Sequence, residues 1–226
     1  MDRLRDVIRR LPDSMEFVIV VVGAFGQLIF SSLLSTRYID PGAMNEMLAS
    51  ALVVNVLQFA FLVWFLRLRD WTLARIGLSI TVRGTLLGLA LLVASVATIV
   101  VANAVGILLQ MIYSYVPRPM HAASNVDFQV LLLLTIVTAV YEELFVSGYV
   151  ITALSRRRGP WVAINVSTGI RVLCHLYQGP IAVLTTVPLG LLYGYTYIRS
   201  RQLWPLILAR VLLEGGVLVF FLRGAR

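Results

Sequence analysis

The side chains able to do chemistry in this sequence are few, and they are concentrated in its C-terminal half. Glu142 and Glu143 stand side by side, Arg171 and His175 follow at a spacing of four, and Arg210 and Glu214 repeat that spacing. All six lie within long apolar runs, where even lenient insertion scales set about 2.5–3.5 kcal/mol against each Asp, Lys or Arg at a helix centre. Charged groups kept in such places point to a site. Helical residues four apart share a face, so Arg171 with His175, Arg210 with Glu214, and Glu143 with Ser147 each form a polar stripe. Three carboxylates against two guanidiniums and an imidazole come close to charge balance, as a buried network requires. Ion pairs that only glue helices together need neither adjacent glutamates nor a histidine. The chemistry open to a glutamate and a histidine around one cavity is general-base activation of water. There is no Ser-His-Asp set, and no serine sits in a G-x-S-x-G turn. Cys174, the single cysteine, points about 100° away from His175 on a helix. One histidine and up to three glutamates could hold a hard divalent ion, although zinc more often draws two or three His or Cys ligands.

The elements that must position these groups are membrane helices. Of 226 residues, 59% are hydrophobic and 13% charged, against about 45–50% and 25% in soluble domains. The apolar residues also come in runs of roughly twenty or more, which excludes an ordinary soluble globule. Spans are expected at 15–35, 45–66, 84–113, 127–154, 161–178, 180–198 and 203–222. The expected fold is an all-α polytopic transmembrane bundle of seven to eight helices, one integral membrane domain over 1–226, with the catalytic-type core in the last four. An eighth helix would come from 67–83, where Trp71, Leu73, Ile76 and Ile80 lie among Arg69, Arg75 and Arg83 as in an interfacial helix, or from splitting 84–113. The net charge is +8, but all nineteen basic residues are arginines and most flank the spans. That pattern reports orientation, and no nucleic-acid partner is expected. With the N-terminus inside, thirteen arginines fall on the cytoplasmic side and four outside, as the positive-inside rule predicts for a protein of the cytoplasmic membrane. Pro117 and Pro119 mark an external loop at 114–125, in which His121 reads as an exposed side chain. Gly190 and Gly194 are spaced for close helix contact, and Trp64, Trp71, Trp161 and Trp204 fall near span ends.

Three blocks carry a resemblance. They are Glu142-Glu143-Leu-Phe-Val-Ser147-Gly148-Tyr149, Arg171-Val-Leu-Cys-His175-Leu176-Tyr177-Gln178-Gly179-Pro180, and Leu203-Trp204-Pro205 running on to Arg210 and Glu214. In order, spacing and flanks they resemble the CPBP family, the intramembrane proteases that include type II CAAX prenyl endopeptidases and bacteriocin-processing or self-immunity proteins. The family's motifs read E-E-x-x-x-R, F-x-x-x-H and H-x-x-x-N/D. The likeness covers 142–214, inside a motif region at 127–222, and the first 125 residues match only as generic membrane helices. It implies that Glu142 and His175 activate a water for attack on a peptide carbonyl, with the third-motif pair steadying the oxyanion. It also implies a peptide or protein substrate, lipidated or not, alongside membrane lipid. If the family's metal dependence carries over, a divalent ion such as zinc would rest on Glu142 and His175; otherwise no cofactor is expected.

Four positions depart from the pattern: Ser147 for Arg, Arg171 for Phe, Arg210 for His, and Glu214 for Asn or Asp. Ser147 removes the usual partner of Glu143 while two arginines enter the same site, so Arg171 or Arg210 is expected to pair with Glu143. Arg210 could also serve as oxyanion donor, with Glu214 competing for it one turn later. The expected function is an intramembrane endopeptidase, metallo- or glutamate-dependent. The alternative is an impaired relative that binds a peptide or partner protein in the same cavity, as a self-immunity or scaffold protein would. An ion or proton transporter fits less well, since no inverted repeat is visible.

Overall fold

The computed structural model describes residues 8–34, 44–113 and 127–224. Helices α1 (Asp13–Leu34), α2 (Met44–Leu68) and α3 (Val82–Tyr113) come first. A composite helix follows, made of α4 (Phe128–Glu142), a π-helix (Glu143–Ile151) and α5 (Thr152–Arg158). Then come α6 (Pro160–His175), a 3₁₀ turn (Leu176–Gln178), α7 (Pro180–Ser200) and α8 (Trp204–Gly224). Each expected span has its helix, and the fold is an all-α bundle with no strand among the described residues. The segments Asp13–Leu33, Met44–Leu68, Val82–Leu109 and Phe128–Arg158 are long and apolar enough to cross a membrane. Their outward faces carry Val22, Phe30, Leu57, Val93 and Val101, all exposed, which suits hydrocarbon rather than water as the surrounding solvent. The loop at 114–125 with His121, and Arg3, Arg5, Arg37, Arg118 and Arg226, lie outside the described residues.

Local chemistry sets the helix ends. Asp127 caps α4 by accepting from the N–H groups of Gln129 and Val130. Two Gly-Pro pairs restart the chain: Gly159 and Gly179 both have φ of 87°, and Pro160 and Pro180 occupy the first helical position after them. Between these restarts, α6 and α7 come together at the two spaced glycines. A Cβ on Gly190 would lie 2.9 Å from Thr168, and one on Gly194 would lie 3.0 Å from Ile164. Elsewhere α3 packs on α7 and α8, α4 packs on α2 and α8, and α1 packs on α6. Helices α4, α6 and α8, which carry Glu142, Arg171, His175, Arg210 and Glu214, face a common interior.

Two expectations are corrected. Residues 69–81 form a series of turns rather than an interfacial helix, and α3 runs unbroken, so neither source of an eighth helix applies. Asp70 and Gly77 adopt left-handed backbone, with φ of 59° and 70°, which a helix cannot accommodate. Trp71 and Ile76 turn inward while Leu73 and Ile80 stay outside. The second correction concerns Trp71, expected as an interfacial ring near a span end and found buried beside Arg69. Both hold buried Glu16: Arg69 Nε donates to Oε2 at 2.6 Å, while Trp71 Nε1 and Tyr149 Oη donate to Oε1 at 2.9 and 3.0 Å.

Gly77 fastens these turns to the α7–α8 junction. Its carbonyl accepts from Leu203 N–H at 2.9 Å, and a Cβ there would stand 2.0 Å from the Arg201 carbonyl oxygen. Gly159 shares the positive φ but has nothing within 4 Å of its Cβ position. Gly159→Ala is therefore expected to cost only the backbone strain of its φ 87°, ψ 163° conformation, about 1–3 kcal/mol, whereas Gly77→Ala adds a backbone collision and costs clearly more. Thermal denaturation of both variants in detergent checks the order.

Candidate active site

Glu142 ends α4 and Glu143 opens the π-helix, so the two adjacent carboxylates point in different directions. Glu143 is fully buried. Its Oε2 accepts from Ser147 Oγ at 2.7 Å and from Arg171 Nη2 at 2.8 Å, and the same Nη2 donates to Ser147 Oγ at 2.9 Å. Of the two arginines weighed as partner to Glu143, Arg171 makes this contact. The result is a closed triangle in which serine plus a distant arginine stand where the resemblance has one arginine. Arg171 is itself 3% exposed, with its guanidinium 5.7 Å from the Tyr193 ring centroid and its Nη1 3.8 Å from Glu142 Oε2. It therefore lies between both glutamates.

On the other face, Glu142 Oε2 accepts from Arg210 Nη2 at 2.8 Å, while Arg210 Nε donates to Glu214 Oε1. Arg210 thus bridges two carboxylates, one on its own helix and one on α4. His175 turns its Nδ1 to the Arg171 carbonyl oxygen at 2.8 Å. Because that oxygen can only accept, Nδ1 carries the hydrogen and the neutral ring presents Nε2 as its lone-pair nitrogen. Glu142, Arg171, His175, Arg210 and Glu214 all line one cavity of about 630 Å³. Glu143 and Ser147 are not among its walls; they sit behind Arg171 as its support. Tyr177 and Tyr193, two of the tyrosines that the sequence offered as cavity-lining though packing fits most of them better, line the cavity, and so do Thr135 and Thr138, which were not singled out from sequence. The two threonines precede Glu142 by seven and four residues, so the helical stripe that ends at Glu142 carried the signal. Tyr193 follows Gly190 by three, on the side where α7 meets α6.

The donor set does not fit a divalent ion. Glu142 has two guanidiniums within 4 Å, a field that repels a cation, and no group of three His, Cys, Asp or Glu among the described residues could hold one. What the arrangement offers is a carboxylate, an imidazole lone pair and a cation around one cavity. Arg171→Phe removes the cation from buried Glu143 and is expected to cost about 3–5 kcal/mol, the usual effect of breaking a buried pair. Adding Ser147→Arg returns a cation at helical spacing, and the double variant is expected to recover most of the loss in detergent melting; no recovery would contradict the pairing.

Residues 124–215 match the family model described as type II CAAX prenyl endopeptidase Rce1-like. The chain has no significant match among curated proteins or among solved structures. The matched segment holds all three motif blocks and, with them, Glu142, Arg171, His175, Arg210 and Glu214 of the cavity wall. With its long apolar helices the chain is an integral membrane protein, and residues 124–215, somewhat less than half of it, are similar to the Rce1-like type II CAAX prenyl endopeptidases, in line with the CPBP proteins its motifs resemble.

Proposed function

We propose that the chain is an intramembrane endopeptidase that hydrolyses a peptide bond with a water activated by Glu142 and His175. The observation that carries this reading is the meeting of Glu142, His175 and Arg210, from three helices, around one cavity. A water between the Glu142 carboxylate and His175 Nε2 gives up a proton as its oxygen adds to the peptide carbonyl carbon. Arg210 uses Nε for Glu214 and Nη2 for Glu142, and its Nη1 takes no hydrogen bond among the described residues. That remaining donor is offered to the oxyanion, where a fixed cation stabilises developing charge. As the intermediate collapses, the C–N bond breaks and the proton passes to the leaving amine.

Glu214, in this scheme, orients Arg210 through the i,i+4 contact rather than touching the reacting carbonyl. Two guanidiniums beside Glu142 favour a glutamate-dependent route over a metal one. The substrate is a peptide or protein tail, lipidated or not, and the arginine distribution supports the cytoplasmic membrane with the N-terminus inside.

Glu142→Gln and His175→Ala are each expected to abolish the new protein termini that the wild type generates in membrane and secreted fractions. A wild type indistinguishable from both variants would overturn the reading. Replacing Arg210 by His together with Glu214 by Asn restores the family's residue types but removes the grip on Glu142. That pair is expected to lower cleavage by at least about 10²-fold, the scale of one oxyanion donor, and a rise would contradict the assigned role.

A further inference from the structure

A second crevice, of about 560 Å³, lies between the C-terminal end of α2, the turns at 70–76 and the π-helix. Leu66, Trp71, Leu73, Ile76, Leu144 and Tyr149 wall it, and none of them lines the cavity that holds Glu142. The volume falls within the roughly 300–1,000 Å³ of small-ligand sites. Its walls are largely apolar; Asp70 also lines it but is paired with Arg9 at 2.7 Å, and two further arginines stand at its rim. Arg67 lines the crevice and is exposed. Arg75, also exposed, lays its guanidinium 4.0 Å over the Trp71 ring.

The carboxylates around this end of the bundle are already paired. Arg69 pairs with Glu16 and Asp13, Arg157 pairs with Asp13, and Arg9 pairs with Asp70. Among the described residues, no carboxylate pairs with Arg67 or Arg75. Exposed Arg10, Arg83, Arg156, Arg158, Arg199 and Arg201 are likewise without a carboxylate among the described residues, but Arg67 and Arg75 are the two unpaired cations set at the crevice. Position adds a further constraint: Arg67 falls in the last turn of α2, a helix long and apolar enough to cross a membrane, so the crevice sits where that span ends. Beside it Leu73, Ile80 and Val82 point outward, at 53%, 73% and 80% exposure.

We propose that this crevice binds one anionic phospholipid, with an acyl chain against Leu66, Ile76 and Leu144 and the phosphate between Arg67 and Arg75. An apolar slot with two unmatched guanidiniums at its mouth, at the end of a membrane span, is complementary to that chemistry and to no neutral lipid equally. Leu144 and Tyr149 belong to the π-helix that follows Glu142, so the bound lipid packs on the segment that presents the two glutamates.

The test uses purified full-length protein, delipidated in detergent and titrated with phosphatidylglycerol or phosphatidylcholine, with retained lipid read by native mass spectrometry. Phosphatidylglycerol is expected to bind roughly 25-fold more tightly, since each arginine near an anionic group contributes a factor of about five. Arg67→Gln with Arg75→Gln brings the two lipids to parity, and each single variant keeps a preference of about fivefold. Both side chains are exposed and unmatched, so the fold is retained, and the melting temperature in the same detergent checks this. Arg199→Gln removes an exposed arginine that packs on Tyr195 at 5.8 Å and leaves the preference intact. No preference in the wild type, an unchanged preference in the double variant, or equal loss in Arg199→Gln would each overturn the proposal.

Discussion

A carboxylate inside a membrane bundle must find a cation, and here two carboxylates stand next to each other in the chain. Everything around the cavity follows from how that requirement is met. Because Glu142 and Glu143 point to different neighbours, one guanidinium cannot serve both fully. Arg171 from α6 takes Glu143 at 2.8 Å and reaches only to 3.8 Å from Glu142, while Arg210 from α8 takes Glu142 at 2.8 Å. These contacts hold α4, α6 and α8 together where hydrocarbon supplies no hydrophobic drive between helices. They also divide the glutamates by role, one sealed behind Arg171 and one left on the cavity wall.

That division gives physical sense to the four departures from the family pattern. Ser147 and Arg171 act as a pair: the serine is small enough to leave room, and the arginine fills it from the facing helix, reaching the same glutamate. Arg210 and Glu214 form a second pair, in which the acidic residue occupies one edge of the guanidinium and leaves other donors for Glu142 and the cavity. The positive charge has been moved within the site rather than lost.

Much of this was legible in the sequence because membrane spans advertise themselves. Seven apolar runs gave seven helices, and the i,i+4 spacings placed Arg171 with His175 and Arg210 with Glu214 on common faces. What stayed hidden depended on partners distant in sequence or on backbone without a compositional mark. The π-helix at Glu143–Ile151 reads as ordinary apolar helix, since its i→i+5 winding has no residue signature. The turns at 69–81 mix apolar and basic residues as an amphipathic helix would, and only Gly77 against the Arg201 carbonyl shows why no helix forms. Glu16 lay near a span edge, and its three partners come from positions 53, 55 and 133 residues away. Which arginine serves which glutamate could not be read from spacing at all, because it depends on how α6 and α8 are set against α4.

The division of labour between the two glutamates is most directly tested by comparing Glu142→Gln and Glu143→Gln in proteoliposomes, measuring peptide-library cleavage per folded molecule. If Glu142 acts on the cavity and Glu143 only holds Arg171, Glu142→Gln removes cleavage from protein that remains folded. Glu143→Gln instead lowers the folded fraction while each folded molecule still cleaves. Equal cleavage per folded molecule in the wild type and Glu142→Gln, or complete loss in folded Glu143→Gln, would contradict it.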